Sequence, residues 1–342
     1  MKVGFLVTPV GLMMGNVESA KRLRGALSAR GVSVVDAKES QECDLLHVHT
    51  PFPPGNFKIV RNAKRLGQPV VIHAHTTAED SVGTWTGSST LSGVTGRYLT
   101  RFYNLGDLVL APSAWTKARL VERGVRAPIR VLSNGVDLCR FSFDQERRDR
   151  FRRRYSIPGG ATVAYSVGVA CLKKGIEVFP EVANAEPEVH FIWIGRRSKL
   201  YHPFKVNRAI SGLGANARFL SDVDDIVDAH CGGDIFITPS FVENQGIAVM
   251  EAMAVGRPIV ARDLPSYRGL LADERTALLC TSSDGFASAI ERLCDDPRLR
   301  SDLVESAKGA IQMHSIDKVA EQLETVYASL IDSKAQFRGA RA

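Results

Sequence analysis

The chain has 342 residues, 44% of them hydrophobic and 24% charged, a length for about two domains that each bury a core. That composition excludes a disordered tail, a disulfide miniprotein and a collagen-like polymer. The net charge of +7 is uneven: residues 1–155 hold 24 Lys/Arg against 13 Asp/Glu and the rest 20 against 24, so the first part should prefer an anionic partner.

The first fourteen residues resemble a short secretion signal but lack a good n-region and a small-residue cleavage site, and Val3–Thr8 predicts a first strand instead. Strands are then predicted over 32–35, 45–49, 70–74, 108–111 and 129–133. Helical patterns between them cover Asn16–Arg30, Phe57–Leu66, Gly96–Leu105 and Thr116–Gly124. An arginine-rich run, Arg147–Arg154, reads as a solvated helix face and ends in Ser-Ile-Pro-Gly-Gly. The alternation then restarts, with strands predicted over 162–168, 189–195, 217–220, 234–239, 258–262 and 277–281. Helices are expected at Gly175–Asn184, Phe204–Leu213, Asp224–Cys231, Gln245–Val255, Asp284–Cys294, Pro297–Ile311 and Ile316–Ser333.

Apolar strands separated by helices predict parallel sheets with crossover connections. The count suggests two doubly wound α/β domains, residues 1–150 and 151–313, facing across a cleft. A C-terminal helix and tail, 314–342, is expected to return toward the first domain. Six scattered cysteines without a C-x-x-C pair signal neither a disulfide framework nor a zinc knuckle. No apolar run reaches bilayer length. No G-x-G-x-x-G and no Walker A element occur, which disfavours dinucleotide oxidoreductases and P-loop NTPases.

The most informative segment is 241–258, Phe-Val-Glu-Asn-Gln-Gly-Ile-Ala-Val-Met-Glu-Ala-Met-Ala-Val-Gly-Arg-Pro. A strand ends at Pro239 and Gly246 opens an apolar helix, whose first-turn amides suit a phosphate. Glu243 in the turn and Glu251 two helical turns on can line one ligand at different depths, unless Glu243 merely caps the helix and Glu251 is solvated. A second segment, 167–176, carries a strand into a turn at Lys173-Lys174-Gly175, and a lysine there offers a point charge to a phosphate. Two H-x-H pairs, His47/His49 and His73/His75, end consecutive strands. They have metal-ligand spacing, so a metal-dependent hydrolase is one alternative. Core packing is the plainer reading of His47 and His73, whereas His75 suits a cleft. Asp222-Val-Asp224-Asp225 is more simply a helix cap at Ser221 or Asp222 than a cation site.

Taken in order, these segments resemble glycosyltransferase family 4, the retaining nucleotide-sugar transferases of GT-B architecture. The resemblance rests on Glu243-x7-Glu251, the following Glu-Ala-Met-Ala-Val-Gly-Arg-Pro-Ile-Val, Ser133–Phe141, the Lys-Gly turn and His75-Thr76. His73–Asp80, Tyr98–Lys117, Lys173–Phe179 and Val223–Ile226 are closest to the branch that glycosylates glycerolipids. The resemblance implies that Glu251 binds the ribose. Glu243 and the backbone of Asn244, Gln245, Gly246 and Ile247 would hold the donor sugar and diphosphate. Lys174 would neutralise the leaving diphosphate, with no metal and no cofactor, and His75 would contact the sugar near its reacting carbon. Gly15 and Gly168 would let backbone approach the phosphates. Val169 departs from the family arginine after that glycine, and Lys173 or Arg196 is the expected substitute.

The activity so implied is transfer of a hexose from a UDP-sugar to a membrane glycerolipid. The basic first domain would bind the anionic surface of the cytoplasmic membrane, with no nucleic-acid partner. The alternatives are a soluble, polysaccharide or polyprenyl-linked acceptor, and a non-catalytic nucleotide-sugar binding module.

Overall fold

Twelve parallel strands make two separate six-stranded sheets among the residues described, 1–9, 14–37, 42–82, 88–200 and 202–339 of a computed structural model. The first half runs β1 (Lys2–Leu6), α1 (Met14–Ala29), β2 (Ser33–Asp36), β3 (Leu45–Val48), α2 (Asn56–Arg65), β4 (Val70–His73) and α3 (Ala78–Ser81). It continues with α4 (Ser88–Tyr103), β5 (Leu108–Ala111), α5 (Ala114–Glu122) and β6 (Ile129–Val131). Then come α6 (Gln145–Arg154), β7 (Val163–Val167), α7 (Phe179–Ala185), β8 (His190–Ile194), α8 (Pro203–Ser211) and β9 (Ala217–Leu220). The rest is α9 (Ile226–Gly232), β10 (Ile235–Thr238), α10 (Ile247–Val255), β11 (Ile259–Arg262), β12 (Leu278–Cys280), α11 (Ser283–Asp295), α12 (Pro297–Ile311) and α13 (Ile316–Gly339).

The chain forms two compact units. Unit 1 is Met1–Ala78, Leu91–Gly135 and His314–Ala342; unit 2 is Glu79–Thr90 and Val136–Met313. In unit 1 the sheet order is β2-β1-β3-β4-β5-β6, and β3 and β4 are buried at every residue, as a strand covered by helices on both faces must be. One core layer joins Leu23 and Leu27 of α1 to Ile316, Val319, Leu323 and Tyr327 of α13; the opposite layer holds Val60, Leu99 and Phe102.

In unit 2 the order is β12-β11-β10-β7-β8-β9. The order reverses between β7 and β10, so the loops after these two strands flank the topological switch point, where doubly wound sheets bind ligands. Side-chain oxygens start several helices: Ser113 for α5, Asp225 for α9, Ser282 for α11 and Asp296 for α12. The α9 cap is therefore Asp225, which accepts from Val227 N, and not Ser221 or Asp222.

The division between units falls at Gly135–Val136, ahead of the boundary expected near residue 150. The cause is α6, which packs against α9. Its arginines divide: Arg150, Arg153 and Arg154 are exposed, as expected of a solvated face, whereas Arg147, Arg148 and Arg152 are wholly or partly buried. Arg147 binds Asp225 and Asp228 at 2.8 and 2.7 Å, Arg150 binds Asp228 at 2.7 Å, and Arg148 binds Asp234 at 2.7 Å. Arg152 is buried and donates to the carbonyls of Gly232, Pro158, Gly159 and Ala161 and to Asp234. Two other local differences stand out. The predicted helix from Gly175 starts only at Phe179, because Leu172–Lys174 form a short 3-10 turn that Gly175 closes at φ 77°. And α4 begins at Ser88, ahead of the expected Gly96.

Candidate functional site

The expected donor residues of unit 2 converge at its switch point. β7 ends at Val167, and the chain passes through Gly168 and Val169 into the Lys173-Lys174-Gly175 turn. β10 ends at Thr238, and the chain passes through Pro239 to Glu243 and then to α10. The two loops are tied together: Phe241 N donates to Lys173 O at 2.8 Å, and a Cβ on Gly175 would overlap the Pro239 carbonyl oxygen. Only glycine fits there, both for its positive φ and for that approach.

The Lys174 alkyl chain lies along Gly168, and Lys174 Nζ donates to Glu243 Oε1 at 2.6 Å. Burial raises the Glu243 pKa, but the charges of Lys174 and Lys173 and hydrogen bonds from Lys174 and Ser240 outweigh it; the net pKa is lowered and the carboxylate is ionised. Lys173 Nζ instead binds Asp80 Oδ1 at 2.7 Å. Burial opposes its charge, yet Asp80 and other anionic neighbours raise its pKa. Asp80 lies in the Glu79–Thr90 segment of unit 2. Its partnership with the lysine turn had no sequence signal beyond its place at the end of the His73–Asp80 segment.

Gly246 takes φ 85° and precedes α10 without any side-chain cap. Gly246 has no side chain to cap the first amides of α10, which stand at the positive end of the helix dipole. A Cβ on Gly246 would sit 2.7 Å from Tyr267 Cε1, so the buried Tyr267 ring sets where this helix starts. Asn244 and Gln245 are buried in the same turn. Glu251 is not solvated: it is 4% exposed, with Oε2 3.5 Å from His230 Nε2, while His230 Nδ1 pairs with Tyr165 Oη at 2.8 Å. Neither His230 nor Tyr165 was legible as a site neighbour, since a helix and a strand far apart in sequence deliver them.

The remaining donor candidates stand apart in kind. Arg196 is exposed and only loosely paired with Asp222 at 3.7 Å, which leaves its guanidinium able to swing. Val169 is half-buried, and Gly168 N donates to Ile194 O at 2.9 Å. Gly15 is the second residue of α1, with open space where a Cβ would stand; residues 10–13 of the loop before it lie outside the described residues.

His75 belongs to unit 1 and follows β4. It is buried with His47, His49 and His73, and its ring stacks on His73 at 4.0 Å. Burial, opposed by a hydrogen bond with Asn134, pulls the His75 pKa down to about 4, so its imidazole is neutral at pH 7. Burial and neighbouring imidazoles hold His47, His49 and His73 well below the usual value too. His47 is a satisfied core residue on one nitrogen only, and His73 on neither. His47, His49 and His73 are also the one group among the described residues whose ligand atoms are placed to hold a metal ion.

Two doubly wound parallel sheets with their helices define the GT-B class of fold. HepE of Anabaena, solved in complex with UDP and glucose, shares it at TM-score 0.81 and 18% identity, over 96% of this chain and 100% of that one. WaaG, a glycosyltransferase involved in lipopolysaccharide biosynthesis, shares it at 0.70 and 16%, over 96% and 99%. The model "Glycosyltransferase Family 4" matches residues 16–140, and "Glycosyl transferases group 1" matches 169–296. A processive diacylglycerol alpha-glucosyltransferase of Acholeplasma laidlawii is 31% identical over 90% of this chain and 92% of its own length. The chain therefore belongs to glycosyltransferase family 4 and is a glycosyltransferase. A phosphatidyl-myo-inositol mannosyltransferase of Mycolicibacterium smegmatis is 27% identical, over 87% of this chain and 74% of that protein.

Proposed function

We propose that this enzyme transfers a hexose, with retention, from a nucleotide diphosphate sugar (UDP-hexose foremost) to a glycerolipid at the cytoplasmic face of a membrane. The observation that carries the donor half is the Lys174–Glu243 pair on the loop that leads through Gly246 into the start of α10, with buried Glu251 on the same helix. Lys174 and the α10 amides stabilise the charge that develops on the departing diphosphate, without a divalent metal there. Arg196 swings in where the family arginine is replaced by Val169, Lys173 being engaged by Asp80. Glu251 accepts from the ribose hydroxyls, and Glu243 with the Asn244–Ile247 backbone holds the sugar. His75 meets the sugar as a neutral imidazole, a hydrogen-bond partner and not a cation. The bond from the anomeric carbon to the diphosphate oxygen breaks, and the acceptor oxygen bonds to that carbon on the same face. The acceptor proton leaves on the diphosphate.

The acceptor half rests on the two relatives named above, both with glycerolipid acceptors in their names, and on charge. Unit 1 holds 21 Lys/Arg against 11 Asp/Glu, a balance of +10, while unit 2 stands at −3. A basic unit suits the surface of an anionic leaflet, and no helix of the described residues is long and apolar enough to cross one.

The test is incubation with labelled UDP-glucose or UDP-galactose and diacylglycerol or glycosyl-diacylglycerol vesicles, with EDTA present. Labelled lipid with an α linkage is expected, and co-sedimentation with anionic vesicles should fall as salt rises. Transfer only to soluble or polyprenyl-linked acceptors would overturn the lipid assignment; a β-linked product would overturn retention.

A further inference from the structure

His47, His49, His73 and His75 of unit 1 lie on one face of its sheet. His47 and His49 alternate along β3 and its end, and the register pairs His47 with Val71 and Val48 with Ile72, bringing His49 level with His73. Phe5 walls the cluster, its ring 5.1 Å from His47 and 4.6 Å from His49. Tyr327 of α13 closes another side.

The nitrogens divide into two sets. His47 Nδ1 pairs with Tyr327 Oη at 2.5 Å, and His49 Nδ1 with His75 Nε2 at 3.2 Å. Among the described residues, His47 Nε2, His49 Nε2 and both nitrogens of His73 are buried without a hydrogen-bond partner. A folded protein leaves few such atoms, because each keeps the cost of its lost hydration. Here four of them fall on three neighbouring rings whose ligand atoms all lie within 4.8 Å of one another.

We propose that His47, His49 and His73 bind one late first-row divalent transition-metal ion, zinc foremost. Three imidazoles with no carboxylate and no thiolate suit zinc, copper, nickel or cobalt and disfavour magnesium and calcium. A tetrahedral edge at a Zn–N bond of about 2.1 Å is about 3.4 Å, so ring rotations that move each nitrogen by roughly 1 Å close the set. In the tautomer in which Nδ1–H of His47 donates to Tyr327 Oη and Nδ1–H of His49 to His75 Nε2, both Nε2 lone pairs are left for the ion. This is the outer-shell arrangement that orients metal-bound imidazoles. Three protein ligands leave a fourth position for a water. The site is separate from the Lys174–Glu243 donor residues of unit 2 and, of the residues assigned to the donor, adjoins only His75, which shares a hydrogen bond with His49.

The test uses the tag-free full chain after prolonged dialysis against a chelator. Titration with zinc chloride should show one equivalent bound by calorimetry and a Tm raised by about 5 °C at 100 times Kd. Cobalt(II) should give the intense visible bands of a tetrahedral nitrogen-ligated site. His49→Gln and His73→Gln should each weaken zinc binding at least 10-fold and abolish the cobalt bands, with far-UV circular dichroism confirming the fold. No zinc uptake by the wild-type chain, a weak octahedral cobalt spectrum, or binding that survives the His49→Gln/His73→Gln double variant would each overturn the proposal. The wild-type cobalt spectrum decides the matter even if a variant fails to fold.

Discussion

Lys174→Met removes the ammonium and keeps most of the apolar stem that lies along Gly168. Glu243 is then left ionised, with its side chain 10% exposed and no partner at 2.6 Å. Breaking a fully buried pair costs ~3–5 kcal/mol. The Lys174 side chain is 26% exposed, so solvent screening reduces this to about 2 kcal/mol. The sign with pH follows from the direction of the Glu243 shift. Its folded pKa lies below the unfolded value of about 4.3, so the pair's contribution is fully present above that pH and is lost as pH falls through the folded pKa. Urea unfolding at pH 7.5 therefore reads the whole effect. Glu243→Gln should cost less, about 1 kcal/mol, because the freed ammonium can turn to solvent. The Lys174→Met/Glu243→Gln double variant, with no buried charge left, should recover to within about 1 kcal/mol of wild type. Catalysis should not recover with it. If Lys174 meets the departing diphosphate, kcat for sugar transfer drops about 100-fold in Lys174→Met and stays down in the double variant, because a stabilising charge is missing in the transition state. Stability and turnover thus separate. A double variant that regains both, or a single variant with wild-type turnover, would refute the assignment and leave the pair a structural contact.

Three further outcomes follow from neighbouring features. Gly246→Ala puts a Cβ 2.7 Å from Tyr267 Cε1 at φ 85°; it should displace the first amides of α10 and raise the Kd for UDP at least 10-fold by calorimetry, at a cost of about 2 kcal/mol in stability. The His75 pKa of about 4, against about 6.5 unfolded, means that the unfolded chain takes up its proton first as pH falls. Stability should be complete above pH 6.5 and decline toward pH 4, by up to about 3 kcal/mol from His75 alone; His75→Gln should flatten that decline in urea midpoints measured across the window. Arg152→Ala leaves Asp234 and four carbonyls short of a donor and should destabilise unit 2 by about 3 kcal/mol. Its Kd for UDP should stay at the wild-type value.

Much of the fold could be read because parallel strands announce themselves. Each predicted strand overlaps an observed one, since a strand buried on both faces is a short run of Val, Ile, Leu and Phe bounded by polar turns, as in Ile235–Thr238 and Val163–Val167. The start of α10 was legible for a similar reason: Gly246 between a polar turn and an apolar helix has few other uses. What stayed hidden depends on long-range pairing. Nothing in His230 marks it as the neighbour of Glu251, and nothing in Asp80 marks it as the partner of Lys173. The helix expected at Gly175 failed because Gly175 closes a 3-10 turn in the left-handed region, a local choice enforced by the Pro239 carbonyl from another strand.

The arginine run is the sharpest case of the same limit. By composition Arg147–Arg154 is indistinguishable from a solvated or membrane-facing helix, and it supplied six of the positive charges credited to the first part of the chain. Its acids, Asp225, Asp228 and Asp234, are delivered by α9 and the start of β10, about 80 positions later. Arg147, Arg148, Arg150 and Arg152 are committed to holding α6 on unit 2, and the whole run belongs to unit 2, so it does not count toward the charge of unit 1. Reassigning them leaves unit 1 at +10, because the C-terminal helix and tail add as many acids as bases and the Asp/Glu of the α6 region depart with the arginines. The charge imbalance therefore survives the loss of its most conspicuous segment. It resides in dispersed residues such as Arg97, Arg101, Lys117 and Arg130. A field of that kind predicts a smooth salt dependence of vesicle binding with no single dominant residue, whereas one basic helix would concentrate the loss in a single substitution.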